Sequence, residues 1–165
     1  MKATHGFALI PVLLVLSVLA GLGLTSTQTL LLQNQTLQAQ ARHTQAYHAA
    51  QAALDDALQD IAHATGERAQ LLQHPSDPLW PEGCGSAPWQ GLCVAQAAWS
   101  ADEAIPYGTH TQRAWPHAQP PRYRISPWPP NHLRISAIGY PATAPYTPVI
   151  LHHVQRITPI STQRF

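Results

Sequence analysis

Charged residues are scarce in this chain, and they are unevenly distributed. They make up 10% of the 165 residues, and none lies between Lys2 and Arg42. All eight acidic residues fall between Asp55 and Glu103, so the segment after Glu103 has none and instead carries arginines and histidines. The net charge of +1 therefore indicates no partner by itself, but its distribution predicts a basic C-terminal half that follows an acidic neck.

Motifs that carry catalysis are missing from the sequence. It has no glycine-rich phosphate loop and no Gly-x-Ser-x-Gly nucleophile context. Asp55, Asp56 and Asp60 lie on one side of a predicted helix, and a solvated helix face explains them more simply than an acid pair or a cation site. His152 and His153 are neighbours on a predicted strand, so they point to opposite faces and are poorly placed to chelate one metal. We therefore predict neither an enzyme nor a cofactor site.

The two cysteines, Cys84 and Cys93, are close in sequence. A zinc site needs further thiolates or histidines at ligand spacing, and their neighbourhood offers none. In an exported domain, such a local pair is typical of one disulfide that closes a small loop. The alternative is two reduced cysteines.

An apolar run occupies residues 7–24, directly after a short basic leader that contains Lys2 and His5. As a helix it would extend about 27 Å at about 1.5 Å per residue, which is enough to cross a hydrocarbon core. An ordinary secretory signal has a shorter apolar core and a small-x-small cleavage site. Here the run continues without a break into a helical pattern that reaches about Leu72. We therefore expect a transmembrane helix that is retained, with the N-terminus inside.

The second part of the helix, residues 25–74, is polar but keeps helical spacing. Apolar residues recur at steps of three and four and predict an amphipathic stripe, formed by Tyr47, Ala50, Leu54, Ala57, Leu58, Ile61, Ala64 and Leu72. Gly66 is a point of weakness in this helix, and the step from His74 to Pro75 ends it.

Residues 75–165 are predicted to form a small head with an antiparallel sheet. Clear strand patterns occur over 122–126, 132–138 and 148–157, with turn residues between them, and a weaker pattern occurs over 92–99. Leu133, Ile135 and Ala137 share one face of the second strand. The predicted fold class is α+β, in which a long N-terminal helix packs on a small antiparallel meander.

Two stretches of the sequence resemble a known family. Residues 6–10 (GFALI) resemble the cleavage site of a type IV prepilin, and residues 47–57 (YHAAQAALDDA) resemble the aromatic-x-Ala-Ala-Glu-Ala-Ala-Leu segment of PilX-type minor pilins. The resemblance covers roughly residues 5–60 and implies a pilin-like fold. The sequence differs from the family pattern at Gln51, where the family has glutamate. It also differs at Pro11, where most pilins have a glutamate that pairs with a neighbour's N-terminal amine. The lack of that glutamate fits a subunit at the filament tip, and equally a degenerate or weakly assembling pilin.

The resemblance also implies a function and a location. Prepilin peptidase would remove residues 1–6 by cutting between Gly6 and Phe7, and Phe7 would be N-methylated. Assembly would use an apolar helix surface that includes Phe7, Leu9, Ile10, Leu13, Leu14 and Leu16. The chain would lie in the bacterial inner membrane with its head in the periplasm, or at the pilus tip on the cell surface. It would contact other minor and major pilins and the inner-membrane assembly platform, and it would help to initiate or cap a type IV pilus. The alternatives are a type II secretion pseudopilin and a single-pass anchored periplasmic binding protein.

Arg122, Arg124 and Arg134 alternate along predicted strands and therefore project on one face, opposite residues such as Tyr123 and Leu133. With Trp128 and other aromatic residues nearby in sequence, this composition suits an anionic polymer such as DNA. The structural alternative is that these arginines pair with the acids of residues 55–60, in the same subunit or in a neighbouring pilin.

Overall fold

The computed structural model describes residues 9–81, 83–85, 89–94, 99 and 103–157, but not the side chains of residue 9 and residues 21–28. Its elements in chain order are α1 (Leu9–His63), α2 (Gly66–Gln73), β1 (Ile105–Pro106), β2 (Arg122–Trp128), β3 (His132–Gly139) and β4 (Val149–Arg156). The chain divides into two compact units, Met1–Ala41 and Arg42–Phe165, and the boundary falls within α1. The fold class is α+β, as predicted.

The long helix α1 contains 55 residues. Its sequence is rich in alanine, leucine and glutamine, which have high helix propensity, and this composition explains why it extends so far. Across the described residues, neither helix combines the length and the hydropathy that a membrane span requires.

A break separates α1 from α2, so the prediction of one helix to about Leu72 is wrong at this point. Thr65 is extended, with φ −129° and ψ 162°, and Gly66 has φ +62°. A left-handed backbone is readily adopted only by glycine. Ala64 and Thr65 lie outside both helices and interrupt the hydrogen-bond ladder, so the chain turns directly before α2, at the glycine that the sequence indicated as weak.

The end of α2 lies where the sequence predicted a helix end. The His74 N–H donates to the carbonyls of Gln70 and Leu71, both at 3.1 Å, and Pro75 follows. Leu71 and Leu72 are buried. The short helix α2 therefore contributes two large apolar side chains to the core.

The sheet is antiparallel, with strand order β1-β2-β3-β4. The three predicted strands correspond to β2, β3 and β4, so the meander is confirmed. Ile125 lies opposite Ile135 between β2 and β3, and Ala137 lies opposite Leu151 between β3 and β4. This register aligns the apolar positions of neighbouring strands on one face, as their period-two pattern requires.

Two features of the sheet differ from the sequence prediction. The strand β1 was missed, because two residues, one of them Pro106, are too few to show an alternating pattern. The predicted strand over 92–99 is wrong at its start: Leu92 forms one isolated parallel bridge with Ile125, after a turn at Gly91 with φ +74°. Residues 95–98 of that prediction lie outside the described residues.

The core lies between the sheet, α2 and the C-terminal part of α1. Its buried members include Tyr123, Ile125, Leu133, Ile135 and Ala137 from the sheet. The predicted inward face of β3 is therefore confirmed.

Alanines form the buried face of α1, and this allows the helix to approach the sheet closely. The buried alanines are Ala46, Ala49, Ala50, Ala53 and Ala57. A Cβ added to Gly139, the last residue of β3, would collide with backbone atoms of α1, among them the Ala46 carbonyl oxygen. The predicted stripe is therefore shifted: Leu54, Leu58, Ile61 and Ala64 flank the core, while Tyr47 is 38% exposed.

Candidate functional site

The first described part of α1 exposes a long apolar surface. The exposed fractions of its large side chains range from 54% for Val18 to 66% for Ile10, and the set comprises Ile10, Val12, Leu13, Leu14, Val15, Leu16, Val18 and Leu19. Ten consecutive helical positions cover every direction around the axis at about 3.6 residues per turn. The predicted assembly residues Ile10, Leu13, Leu14 and Leu16 are part of this surface.

The rest of the predicted processing and assembly region is not open to structural description. Gly6 and Phe7 lie outside the described residues, as does the whole predicted leader. Leu9 is the first residue of α1, but its side chain is not described. The processing site therefore stays a prediction.

Arg122, Arg124 and Arg134 lie on one face of the sheet. Arg124 is opposite Ser136, and Arg134 is opposite Ser126. Since alternate strand residues share a face, these five residues lie together on the side away from Tyr123 and Leu133. We call this the Arg–Trp face, because two tryptophans complete it.

Two indole rings stack on the guanidinium groups of this face. The Arg124 Cζ lies 4.5 Å from the centre of the Trp99 ring, and the Arg134 Cζ lies 5.1 Å from the centre of the Trp128 ring. The Arg122 Nη1 donates to the Trp99 carbonyl oxygen at 3.1 Å. At these distances each ring attracts the guanidinium above it and stabilises its charge.

His152 lies next to these arginines and is affected by their charge. Burial and then the positive charges of Arg134 and Arg124 lower its pKa. The pKa of Arg124 is also lowered, first by burial and then by Arg134, although Glu103 acts in the opposite direction. The His152 Nδ1 is hydrogen-bonded to the Ser136 hydroxyl at 2.9 Å, and Ser136 is buried. The serine of this pair is therefore closed to a substrate, and the face as a whole has positive electrostatic potential.

A buried ion pair joins α1 to α2 beneath the other side of the sheet. The Arg68 Nε donates to Asp60 Oδ1 at 3.1 Å, and its Nη2 donates to Asp60 Oδ2 at 2.5 Å. The two side chains are 7% and 2% exposed. The Tyr123 hydroxyl donates to Asp60 Oδ2 at 3.1 Å. Burial, and secondarily the Asp60 charge, raise the pKa of Tyr123 far above its ordinary value.

Asp56 is also buried and accepts two hydrogen bonds. The Gly108 N–H donates to its Oδ2 at 2.9 Å, and the Thr111 hydroxyl donates to its Oδ1. Gly108 has φ +82°, a conformation that favours glycine and aims the N–H at the carboxylate. Asp56 therefore attaches α1 to the loop after β1.

These contacts overturn two interpretations of the acidic residues. The prediction of a solvated helix face is wrong for Asp56 and Asp60, which are buried, although Asp55 is exposed. The pairing of Arg122, Arg124 and Arg134 with these acids in the same subunit is also wrong for both buried carboxylates, because Arg68, Tyr123, Thr111 and Gly108 occupy them. A signal was present in the sequence: Asp56 and Asp60 follow Ala49 and Ala53 at helical steps, in phase with the buried alanines.

The structure pairs Cys84 with Cys93, nine residues apart, and the predicted disulfide is confirmed. Cys93 is fully buried, and its N–H donates to the Ile125 carbonyl at 2.9 Å. The bridge therefore attaches the loop to the centre of β2.

Comparison with protein-family models, with curated proteins and with solved structures finds no match to this chain.

Proposed function

We propose that this chain is a minor pilin, a structural subunit that helps to initiate or cap a type IV pilus. One observation carries the proposal: α1 is continuous from Leu9 to His63, with exposed apolar side chains around its whole circumference at residues 10–19. In its C-terminal part the same helix buries an alanine face in the head. One helix thus combines an exposed apolar surface with a surface that is already packed.

A helix that is apolar all round is stable only in apolar surroundings. A bilayer provides them, because the backbone hydrogen bonds of a helix are internal. A bundle of like helices in a filament core also provides them. The proposed cycle is storage in the inner membrane followed by transfer into such a bundle, with no covalent chemistry by the chain itself.

The resemblance around Gly6 and Phe7 and over residues 47–57 supports the same proposal. Under it, prepilin peptidase cuts after Gly6, Phe7 is methylated, and the head lies in the periplasm. The partners are other minor and major pilins and the assembly platform. A type II secretion pseudopilin would share all these features and differ in the assembly system. An anchored binding protein would keep the leader and never enter a filament.

The test compares two lysine substitutions in α1 of the full chain, expressed in its host. Leu14→Lys puts a charge in the apolar surface, whereas Gln33→Lys puts one at an exposed polar position of the same helix. We expect the Gln33→Lys chain in sheared filaments at the unsubstituted level, and the Leu14→Lys chain to be depleted from filaments. Equal amounts of both variants in filaments would contradict the proposal.

A second candidate function is the binding of an anionic polymer on the Arg–Trp face. The observation that favours it is the shared face itself, on which Arg122, Arg124 and Arg134 lie together and two of the three guanidinium groups lie against tryptophan rings. Phosphate groups relieve such an excess of positive charge and release counterions when they bind. The exposed indole of Trp128 offers a surface on which a base stacks.

Retention of single-stranded DNA at increasing salt tests this second function. The double variant Arg122→Gln/Arg134→Gln should bind more weakly and have a shallower salt dependence, with a slope smaller by roughly 0.7 for each phosphate that the protein no longer neutralises. The control is Arg42→Gln/Arg113→Gln, which also removes two positive charges but away from the sheet. Equal retention by the double variant and the control would exclude DNA as the ligand of this face.

A further inference from the structure

The strand β4 is a long edge strand with little of the usual protection. It has eight residues, and none of them is proline, lysine or an acid. At the other end of the sheet, β1 has only two residues, one of them Pro106. Natural sheets shield their edges by short strands, prolines, charges or covering loops, because an unpaired row of N–H and C=O groups binds further strands. Within the described residues, β1 is short and contains a proline, whereas in β4 the charge of Arg156, its last residue, is the one such device.

The ladder between β3 and β4 determines which backbone groups of β4 point outward. The Ile157 N–H donates to the Asn131 carbonyl at 3.0 Å, which continues the antiparallel register. Because hydrogen-bonded and non-hydrogen-bonded pairs alternate, the groups of Leu151, His153 and Gln155 face β3. The N–H and C=O groups of Ile150, His152 and Val154 therefore point away from the sheet. Among the described residues, no backbone group pairs with these three.

A groove runs along this edge, between β4 and α1. Its cavity has a volume of about 390 Å³. Three consecutive strand residues, Leu151, His152 and His153, line it. Since consecutive strand residues face opposite sides of a sheet, a cavity that all three line opens along the strand edge, where the backbone is accessible.

The helix side of the groove has one acidic and several apolar or amide groups. Tyr47, Gln51, Leu54 and Asp55 of α1 line it. Leu54 and, across the groove, Leu151 are only half-buried, so the core is incompletely covered at this edge. Asp55 is exposed and forms no ion pair with another described residue. The groove thus offers hydrogen-bonding groups along one wall, and an apolar patch and a carboxyl group along the other.

We propose that an extended peptide segment of another protein binds in this groove as an additional strand on β4. Its backbone pairs with Ile150, His152 and Val154, as in strand addition at other exposed sheet edges. Every second side chain of the added strand faces α1; among these, apolar side chains cover Leu54 and Leu151, and a basic side chain lies opposite Asp55. This inference is independent of the pilin proposal, because it depends on β4 and on residues 47–55 of α1, and not on the apolar helix surface or on processing of the N-terminus.

The full chain in a mild detergent is titrated with the blocked peptide VTKTVT, in which the valines and the lysine share one strand face, and followed by NMR amide exchange. We expect slower exchange at the amides of Ile150, His152 and Val154 on binding. The same peptide with every backbone nitrogen methylated keeps its side chains but cannot donate these hydrogen bonds in either strand orientation. It should produce no protection.

A proline at Val154 separates strand addition from other ways of binding. The Val154 N–H points outward, so Val154→Pro removes a donor for the added strand but no bond to β3, and an edge strand tolerates proline. We expect Val154→Pro to weaken VTKTVT binding roughly tenfold, the effect of about one hydrogen bond fewer. Val154→Ala is the matched control, because it shortens the same side chain and keeps the N–H, and it should bind nearly as the unsubstituted chain does.

The charge of the groove is tested separately. Asp55→Lys should weaken binding of the lysine-containing peptide by about two- to fivefold, the effect of an exposed ion pair. Glu67→Lys makes the same charge change at an exposed residue outside the groove and should have no effect.

Three results would overturn the proposal. One is equal binding by Val154→Pro and Val154→Ala. Another is slow amide exchange at Ile150, His152 and Val154 without peptide, because the edge would then already be covered. If that slow exchange depended on protein concentration, the cover would be a second copy of the chain. The third is tight peptide binding that leaves these three amides unprotected.

Discussion

Arg68 donates two hydrogen bonds to the Asp60 carboxylate, at 3.1 and 2.5 Å, in a site almost closed to solvent. Tyr123 of β2 donates a third. One carboxylate of α1 therefore binds a residue of α2 and a residue of the sheet. Because the bonds join three different elements, this pair orients the head around the end of the long helix.

Asp60→Ala should lower the free energy of unfolding by about 3–5 kcal/mol, because it removes the carboxylate that balances the buried charge of Arg68. Asp55→Ala removes the same group from an exposed position of the same helix and should change stability by no more than about 0.5 kcal/mol. Urea unfolding of the full chain in detergent, followed by circular dichroism, compares the two. Similar effects would show that the buried pair is not a main stabilising contact.

Gly139→Ala should be destabilising by about 1–3 kcal/mol or more, because the new methyl group collides with the α1 backbone at Ala46, Ala49 and Ala50. The collision involves backbone on both sides, so a rotamer change does not relieve it. Gly83→Ala is the control, since its methyl group meets nothing within 4 Å. A thermal midpoint equal in both variants would contradict the close approach of helix and sheet.

Reduction of the Cys84–Cys93 bridge should lower stability by about 2–3 kcal/mol, the chain-entropy value for a loop of this size. The two residues are nine apart. Urea midpoints with and without a reductant measure the loss. The Cys84→Ser/Cys93→Ser variant should unfold at the reduced midpoint in both conditions, and a midpoint that reductant does not change in the unsubstituted chain would show that no bridge forms.

His152 should titrate below the ordinary histidine pKa, because burial and then Arg134 and Arg124 disfavour its charged form. As pH falls, the unfolded chain then binds the proton first. The contribution of His152 to stability is therefore present above the ordinary pKa of about 6.5 and is lost as pH falls through the folded value. NMR titration of the His152 ring measures the pKa directly.

Arg134→Gln should raise the pKa of His152 toward its ordinary value. Of the two neighbouring arginines that lower this pKa, Arg134 has the larger effect. Arg113→Gln removes a charge elsewhere in the head and should leave it unchanged. If both variants had the same His152 pKa, the Arg–Trp face would not have the electrostatic coupling described above.

The strands and the long helix were predictable because their patterns are local. Alternation over residues 122–138 identified β2 and β3 and the buried face of Leu133 and Ile135. Alanine, leucine and glutamine content identified α1, and Gly66 marked its weak point. These signals depend on only a few neighbouring residues, so they can be recognised from the sequence without tertiary information.

The buried polar contacts were not predictable in the same way, because each depends on residues far apart in sequence. Asp60 and Tyr123 are 63 residues apart, and Asp56 and Thr111 are 55 apart. An acid on a helix is expected to be solvated until a tertiary partner is known. Similarly, the stacking of Arg124 on Trp99 depends on a loop whose path no local pattern defines.

The central claim is that this chain is a pilin subunit, and the intact mass and N-terminal sequence of the protein purified from its host's membranes test it most directly. The account predicts a mature chain that begins at N-methylated Phe7 and retains the apolar helix. A chain that still begins at Met1, or one cut beyond Leu24, would contradict it.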